Sequence, residues 1–231
     1  MLDLKGYGWL LWDGVQLTVM VSVISMAGAI AVGLMAALAK LSRGKARFVI
    51  VETYTTIVRG VPELVLLLLV YYGIPTLVQD AAAALGYKLV VSINPFAAGI
   101  ATITFIYGAF ACEVFRGAYL NVPAGQHEAA AVLGLSRTAT LRHVILPQLF
   151  RYALPGLGNV WMVLVKATAL ISIVQLPELM RNADVAARAT RMPFTFFFAA
   201  CLVYLAITLA SMWAQARAEG WASRGVVGGT L

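Results

Sequence analysis

Three long stretches of this sequence contain no charged side chain, and they limit the possible folds more than any other feature. They run from Gly14 to Ala39, from Leu89 to Cys112 and from Met192 to Ala216. An α-helix needs roughly 20 apolar residues to cross the hydrocarbon core of a membrane. Each stretch is long enough for one crossing, so the sequence predicts a chain that spans a bilayer several times.

Two further segments, Phe48 to Val78 and Leu154 to Val174, are apolar with a few polar residues. Hydrophobic residues make up 61% of the chain and charged residues 12%, which is outside the range of a water-soluble domain. We therefore predict an all-α membrane protein that forms a single domain over residues 1–231. Its five transmembrane helices are predicted at about 14–40, 48–78, 92–115, 152–175 and 193–216.

The basic residues fall mainly on one side of the predicted spans. That side holds Lys40, Arg43, Lys45, Arg47, Arg116, Arg137, Arg142, Arg151, Arg217 and Arg224. The other side holds Lys5, Lys88, Arg181, Arg188 and Arg191. Because positively charged loops stay in the cytoplasm, we predict an outside N-terminus and a cytoplasmic C-terminus. This topology and anionic lipids explain the net charge of +7 better than binding of nucleic acid, since the basic residues form no aromatic-lined soluble face.

A polar insert of about 120–147 separates the third and fourth predicted spans. Ala129 to Leu133 favour a helix, Gly134 can end that helix, and Ser136 can cap another one. We predict two short helices that meet at an angle in the cytoplasm. On physical grounds alone, the insert is either a knob that docks into another protein or an amphipathic loop on the membrane surface.

The insert carries a motif with fixed spacing. Glu128, Ala129 and Ala130 are followed by Gly134 and then by the pair 146–147, Leu-Pro. This pattern resembles the signature of the integral membrane subunits of binding-protein-dependent ABC importers. Segments similar to the polar amino-acid branch, and within it to the histidine, arginine and octopine-type permeases, are 54–63, 113–118, 151–156 and 166–170.

The resemblance implies a type I importer fold in the bacterial inner membrane and uptake of basic amino acids (histidine, arginine, lysine, ornithine) or opines. It also implies a second permease subunit, identical or related, an extracytoplasmic substrate-binding protein, and a cytoplasmic ATPase dimer. Carried over from the family, the residues that couple the chain to that ATPase are Glu128, Ala129, Ala130, Gly134 and Leu135. Many relatives have an acidic residue where this chain has Ala167, and its absence favours the histidine and opine-like subset.

The chain itself is not expected to be an enzyme or to hold a cofactor. The sequence contains no phosphate-binding loop of the Gly-x-x-x-x-Gly-Lys-[Ser/Thr] type, so ATP and Mg are expected on the partner ATPase. Cys112 and Cys201 fall in apolar spans, and His127 and His143 are sixteen residues apart. We expect neither a disulfide nor a metal site.

Ionisable side chains inside spans are costly and usually face a partner or a watery cavity. Arg59 and Glu63 are four residues apart, so they form either a structural ion pair or part of a polar stripe along the transport path. Glu113 and Arg116 are close enough to pair along one helix. The residues predicted to line the substrate pathway are Lys166, Glu63, Arg59, Glu113 and Tyr107.

Lys166 has no carboxylate three or four residues away in sequence. We hypothesise that it faces a central cavity, where it meets the substrate carboxylate. The loop from Leu176 to Arg191 contains Glu178 and several other charges. It is either a docking surface for the substrate-binding protein or a solvated connection.

Two other classes of function remain open at this point. A secondary transporter driven by an ion gradient usually has inverted repeats and broken helices, and five spans with one insert do not divide in that way. A membrane scaffold that only binds a cytoplasmic partner would not need charges within its spans.

Overall fold

The structure is a computed structural model that describes residues 4–42 and 44–223. Within those ranges the chain folds into eight helices, which we number in chain order. They are α1 (Gly8–Leu41), α2 (Lys45–Gly60), α3 (Glu63–Ala84), α4 (Pro95–Leu120), α5 (Ala124–Val132), α6 (Arg137–Val174), α7 (Leu179–Thr190) and α8 (Pro193–Ala222). One π-helical turn lies in α3 at Leu69–Gly73 and another in α6 at Leu141–Ile145.

Five of these helices, α1, α3, α4, α6 and α8, are long and apolar enough to cross a membrane. The prediction of an all-α chain with five crossings is therefore confirmed. Which side each end of the chain faces stays a prediction, and Arg43 and Arg224, two of the basic residues used for it, lie outside the described residues.

The structure divides the segment that we predicted as one span over about 48–78. Helix α2 ends at Gly60, Val61 and Pro62 are extended, and α3 begins at Glu63. Proline cannot donate a backbone hydrogen bond, and it disfavours helical geometry in the residue before it. The second crossing is thus α3, whereas α2 is a separate helix of 16 residues.

The core of the fold is the seam between α1 and α4, which is lined by small residues. A Cβ placed on Gly33 would lie 2.6 Å from the Ala111 Cβ, and one placed on Gly28 would lie 2.7 Å from the Thr104 Cγ2. Ala29 is fully buried in the same seam. In a membrane, no hydrophobic driving force holds helices together, because lipid tails are as apolar as the side chains. Small residues instead let the helices approach closely and gain packing contacts.

Candidate coupling and translocation sites

The first helix of the insert, α5, ends in the way its sequence predicts. Gly134 adopts a left-handed backbone with φ +70°. Its N–H donates to the Ala131 carbonyl at 3.0 Å, and the Leu135 N–H donates to the Ala130 carbonyl at 3.0 Å. These two bonds close the helix end around a residue for which glycine has no steric penalty. Gly134 therefore fixes the direction in which the chain leaves α5.

The second half of the insert differs from the prediction of a separate short helix. The Ser136 hydroxyl accepts from the Ala139 N–H at 3.2 Å, so Ser136 caps the next helix as expected. That helix is α6, which continues from Arg137 through the π-helical turn into the fourth span and ends at Val174. Sequence alone does not show this continuity, because a π-helical turn has no reliable signature. A displacement of the insert would thus be transmitted directly to a membrane helix.

Most of the predicted coupling residues are on the surface. Glu128, Ala129, Gly134 and Leu135 are exposed, whereas Ala130 is buried and only 2% accessible. The surface also includes a pair of apolar residues at 132–133, Val-Leu, that are 88% and 76% exposed. We did not predict this pair, although its place at the end of an alanine-rich helix was a usable signal. Exposed apolar side chains beside a rigid turn are typical of a protein contact.

A cavity of about 570 Å³ separates α5 from the start of α6. Tyr119, His127 and Leu135 line it together with Arg137. The Tyr119 and His127 rings are 6.3 Å apart and perpendicular enough for an edge contact. The insert thus has a concave inner side as well as its exposed outer side.

A cluster of charges joins α1, α2 and α4 near the start of the insert. The Lys40 ammonium lies 2.5 Å from carboxylate oxygens of both Glu52 and Glu113. Arg116 binds the other oxygen of Glu113 at 2.9 Å, which confirms the predicted pair along α4. We treated Lys40 as a loop cation, but its side chain is only 4% exposed. Glu113 therefore belongs to a structural cluster at one end of the spans.

Of the two alternatives predicted for Arg59 and Glu63, the ion pair does not form among the residues that the structure describes. Glu63 instead accepts a hydrogen bond from the Tyr107 hydroxyl at 3.0 Å. The Arg59 guanidinium lies over the Phe110 ring, 5.4 Å from its centre. The break at Pro62 causes this separation, because the two residues no longer share one helix face. Arg59 and Glu63 do still meet the same helix, α4, through neighbouring aromatic rings.

Lys166 lies apart from these residues on an exposed face of α6. Across 4–42 and 44–223 it forms no hydrogen bond or ion pair. Of the five predicted pathway residues, all of which the structure describes, only Glu63 and Tyr107 are joined by a hydrogen bond. The hypothesis that Lys166 faces a central cavity stays a prediction.

Only some of the charged residues in the segment from Leu176 to Arg191 lie on the surface. Asp184 pairs with Arg188 at 2.9 Å on the exposed side of α7. Glu178, which we placed on the same surface, is fully buried and caps α7 by accepting from the N–H groups of Met180 and Arg181 at 2.9 and 2.7 Å. Burial raises the pKa of the Glu178 carboxyl to about 7, although these hydrogen bonds oppose the shift. Sequence could not distinguish this buried cap from its solvated neighbours.

Residues 29–222 match the family described as "Binding-protein-dependent transport system inner membrane component". The histidine/lysine/arginine/ornithine transport system permease protein HisQ of Salmonella typhimurium is 40% identical over 208 residues, which cover 90% of this chain and 91% of HisQ. The nopaline transport system permease protein NocQ of Agrobacterium fabrum is 43% identical over 222 residues, covering 96% and 94%.

A solved structure, described as "Crystal structure of an amino acid ABC transporter with histidines", has the same fold. It superposes with a TM-score of 0.80 at 29% identity and covers 92% of this chain and 94% of that one. Together these matches confirm the predicted family and the type I importer fold.

Proposed function

Because the chain belongs to the family of binding-protein-dependent transport system inner membrane components, we propose that it is the permease subunit of an ABC importer for basic amino acids or opines. The observation that carries this proposal is the similarity to HisQ and NocQ over at least 90% of the chain. The family is that of an inner membrane component, so the chain lies in the bacterial inner membrane.

The transporter requires partners that bind on both sides of the bilayer. A substrate-binding protein delivers the solute outside, and an ATPase dimer holds ATP and Mg in the cytoplasm. A second permease, identical or related, completes the path, because five crossings are too few to enclose a solute alone. Nucleic acid has no part in this assembly, and the remaining surface contacts lipid.

The exposed side of α5 is the proposed contact for the ATPase. Glu128 and Ala129 supply a polar and a small group on that side, and the Gly134 turn holds the helix at a fixed angle. Since α6 continues unbroken into the membrane, closure of the ATPase dimer would tilt the fourth span. Such a rigid-body movement converts binding energy into alternating access.

The proposed substrate path lies along α4 and the fourth span. Glu63, held by Tyr107, would attract the positive side chain of a basic amino acid, and Arg59 lies on the same side of α4. Lys166, which has no partner in the described residues, would bind the carboxylate that every amino acid and opine carries. Glu113, the fifth predicted pathway residue, already binds Lys40 and Arg116, so it would meet a substrate only through the acceptor positions that these two cations leave open.

A reconstituted assay tests the proposal. The permease, its ATPase and the binding protein are placed in proteoliposomes, and uptake of labelled histidine, arginine and nopaline is followed. We expect uptake that requires both ATP and the loaded binding protein, and we expect Lys166→Met to reduce it. Uptake that an ion gradient drives without ATP would support the secondary transporter instead.

A further inference from the structure

A second cavity lies between α6 and α8, close to the point where the insert enters the fourth span. Its volume is about 570 Å³. Phe150, Leu154 and Leu157 of α6 form one wall, and Ala218 and Trp221 of α8 form the other. The cavity therefore has apolar walls and opens on the outside of the helix bundle, since Phe150 is 52% and Trp221 71% exposed.

One charged group, Arg151, lies in this apolar lining. It is half-buried, and it forms no hydrogen bond or ion pair with any residue in the described ranges. Two arginines elsewhere in the chain do have carboxylate partners: Arg116 binds Glu113, and Arg188 binds Asp184. A guanidinium beside apolar walls loses hydration, so an anion that pairs with it in two places would be bound well.

The cavity lies at the boundary between apolar and polar sequence on both helices. Arg151 comes directly before a charge-free run that lasts until Lys166, and Trp221 follows the charges that end the apolar part of α8. Tryptophan rings and arginine head groups favour the level of the lipid head groups. An occupant of this cavity would thus meet the phosphate layer at Arg151 and the hydrocarbon layer at Leu157.

We propose that the cavity binds one anionic phospholipid. The phosphate oxygens pair with the Arg151 guanidinium, and an acyl chain lies against Phe150, Leu154 and Leu157. A soluble anion would leave the apolar walls uncovered, and a lipid without net charge would gain less from Arg151. Basic pockets between membrane helices are known to hold anionic head groups in this way. None of the residues proposed for the transport path lines this cavity, so the proposal does not depend on which solute is carried.

Native mass spectrometry of the complete transporter tests this proposal. The complex is titrated in detergent with phosphatidylglycerol and with phosphatidylcholine of identical acyl chains. We expect Arg151→Gln to weaken phosphatidylglycerol binding about tenfold, the loss of one charge-assisted pair. It should weaken phosphatidylcholine binding less, because the choline cation offsets the charge of that phosphate. Arg151→Lys keeps the positive charge but cannot form two parallel hydrogen bonds to a phosphate. Its affinity for phosphatidylglycerol should therefore lie between those of the native protein and Arg151→Gln. The mass of the intact complex shows in the same spectrum that each variant assembles.

Two controls separate this site from general surface charge and from free anions. Arg47→Gln removes an exposed arginine of α2 and should not change lipid binding. Leu154→Trp fills the apolar wall and should weaken both lipids. The proposal is overturned if Arg151→Gln binds phosphatidylglycerol like the native protein, or if Arg47→Gln weakens it equally. It is also overturned if millimolar inorganic phosphate displaces the lipid, or if a cross-linker at Trp221 captures a partner subunit in place of lipid.

Discussion

Opposite chemistry anchors the two ends of helix α1. Near its end, Lys40 forms ion pairs with Glu52 of α2 and Glu113 of α4. Nearer its start, the Thr18 hydroxyl accepts from the Leu179 N–H at 3.1 Å and lies 3.5 Å from the Glu178 carboxylate. Charges of both signs hold the Lys40 end of α1, whereas a single carboxyl group, that of Glu178, with neutral hydrogen-bond donors holds the Thr18 end.

This difference determines which perturbation each end can tolerate. The Lys40 cluster has two positive and two negative groups, and its rim reaches solvent because the Glu52 side chain is 47% exposed. Glu178 is enclosed, and the Tyr204 hydroxyl donates to it at 3.2 Å. Stability at the Lys40 end should therefore depend on each single charge. Stability at the Glu178 end should depend on the hydrogen-bond acceptor and on pH.

The largest effect is expected for Lys40→Met. Removing the ammonium leaves Glu52 without its cation and Glu113 with Arg116 alone. Breaking a buried pair of this kind costs about 3 kcal/mol. We take the lower end of the known range because both carboxylates are partly exposed. Denaturant unfolding in mixed micelles measures the loss. The exposed Lys45→Met provides the control, and restoring stability by adding Glu113→Gln would show that the cost is electrostatic. If Lys40→Met unfolds at the same denaturant midpoint as the native protein, the Lys40 ion pairs do not stabilise this end of α1.

Glu178→Ala should come next, with a loss of about 2 kcal/mol. The change removes the cap of α7 and leaves the Tyr204 hydroxyl and two N–H groups without an acceptor. The same unfolding measurement applies. Glu178→Gln keeps one acceptor oxygen and should lose less, so equal losses in the two variants would mean that packing, and not hydrogen bonding, holds this end.

A further effect is expected from pH at the same position. Burial raises the pKa of Glu178 to about 7 in the folded chain, above its ordinary value of 4.5. The folded state thus holds the proton more tightly than the unfolded state does. The stability that this group contributes is fully present below pH 4.5 and is lost as the pH rises through 7. Unfolding of the native protein and of Glu178→Gln, compared from pH 5 to 8, should show a decline that the variant lacks. Parallel curves would show that Glu178 does not titrate in this range.

The smallest effect should come from an exposed ion pair on α7, close to Glu178. Arg188 is 80% exposed where it binds Asp184. An exposed pair four residues apart on a helix contributes about 0.5 kcal/mol. Arg188→Gln should therefore change unfolding little, and the change should disappear in high salt. If Arg188→Gln loses as much stability as Lys40→Met, then the presence of a charge pair, and not its burial, determines how much stability is lost.

Local signals in the sequence predicted local structure well. Charge-free runs predicted three of the five crossings, Gly134 predicted the end of α5, and Ser136 predicted the cap of α6. Each of these depends on residues a few positions apart, for which helix geometry fixes the outcome. The sequence prediction placed residues 48–78 in one crossing, whereas Pro62 separates two helices there, because proline lacks the backbone N–H that a continuous helix needs.

Contacts between distant residues could not be predicted in the same way. Lys40 meets Glu113 across 73 positions, and Thr18 meets Glu178 across 160. Nothing in the spacing of such residues indicates that they touch. The burial of Lys40 and Glu178 therefore became visible only when the packing of α1 was known, and the same holds for the Glu63 contact with Tyr107.

In our proposal, α5 is the contact through which an ATPase moves the membrane helices. The direct test is a cysteine cross-link from Ala129→Cys to the ATPase subunit, made after Cys112 and Cys201 are replaced by alanine. A cysteine at Ala189, exposed on α7, is the matched control. We predict a cross-link from position 129 whose yield changes with bound ATP, and none from position 189. A complex that hydrolyses ATP and transports normally, yet gives no cross-link from position 129, would show that α5 is not the ATPase contact.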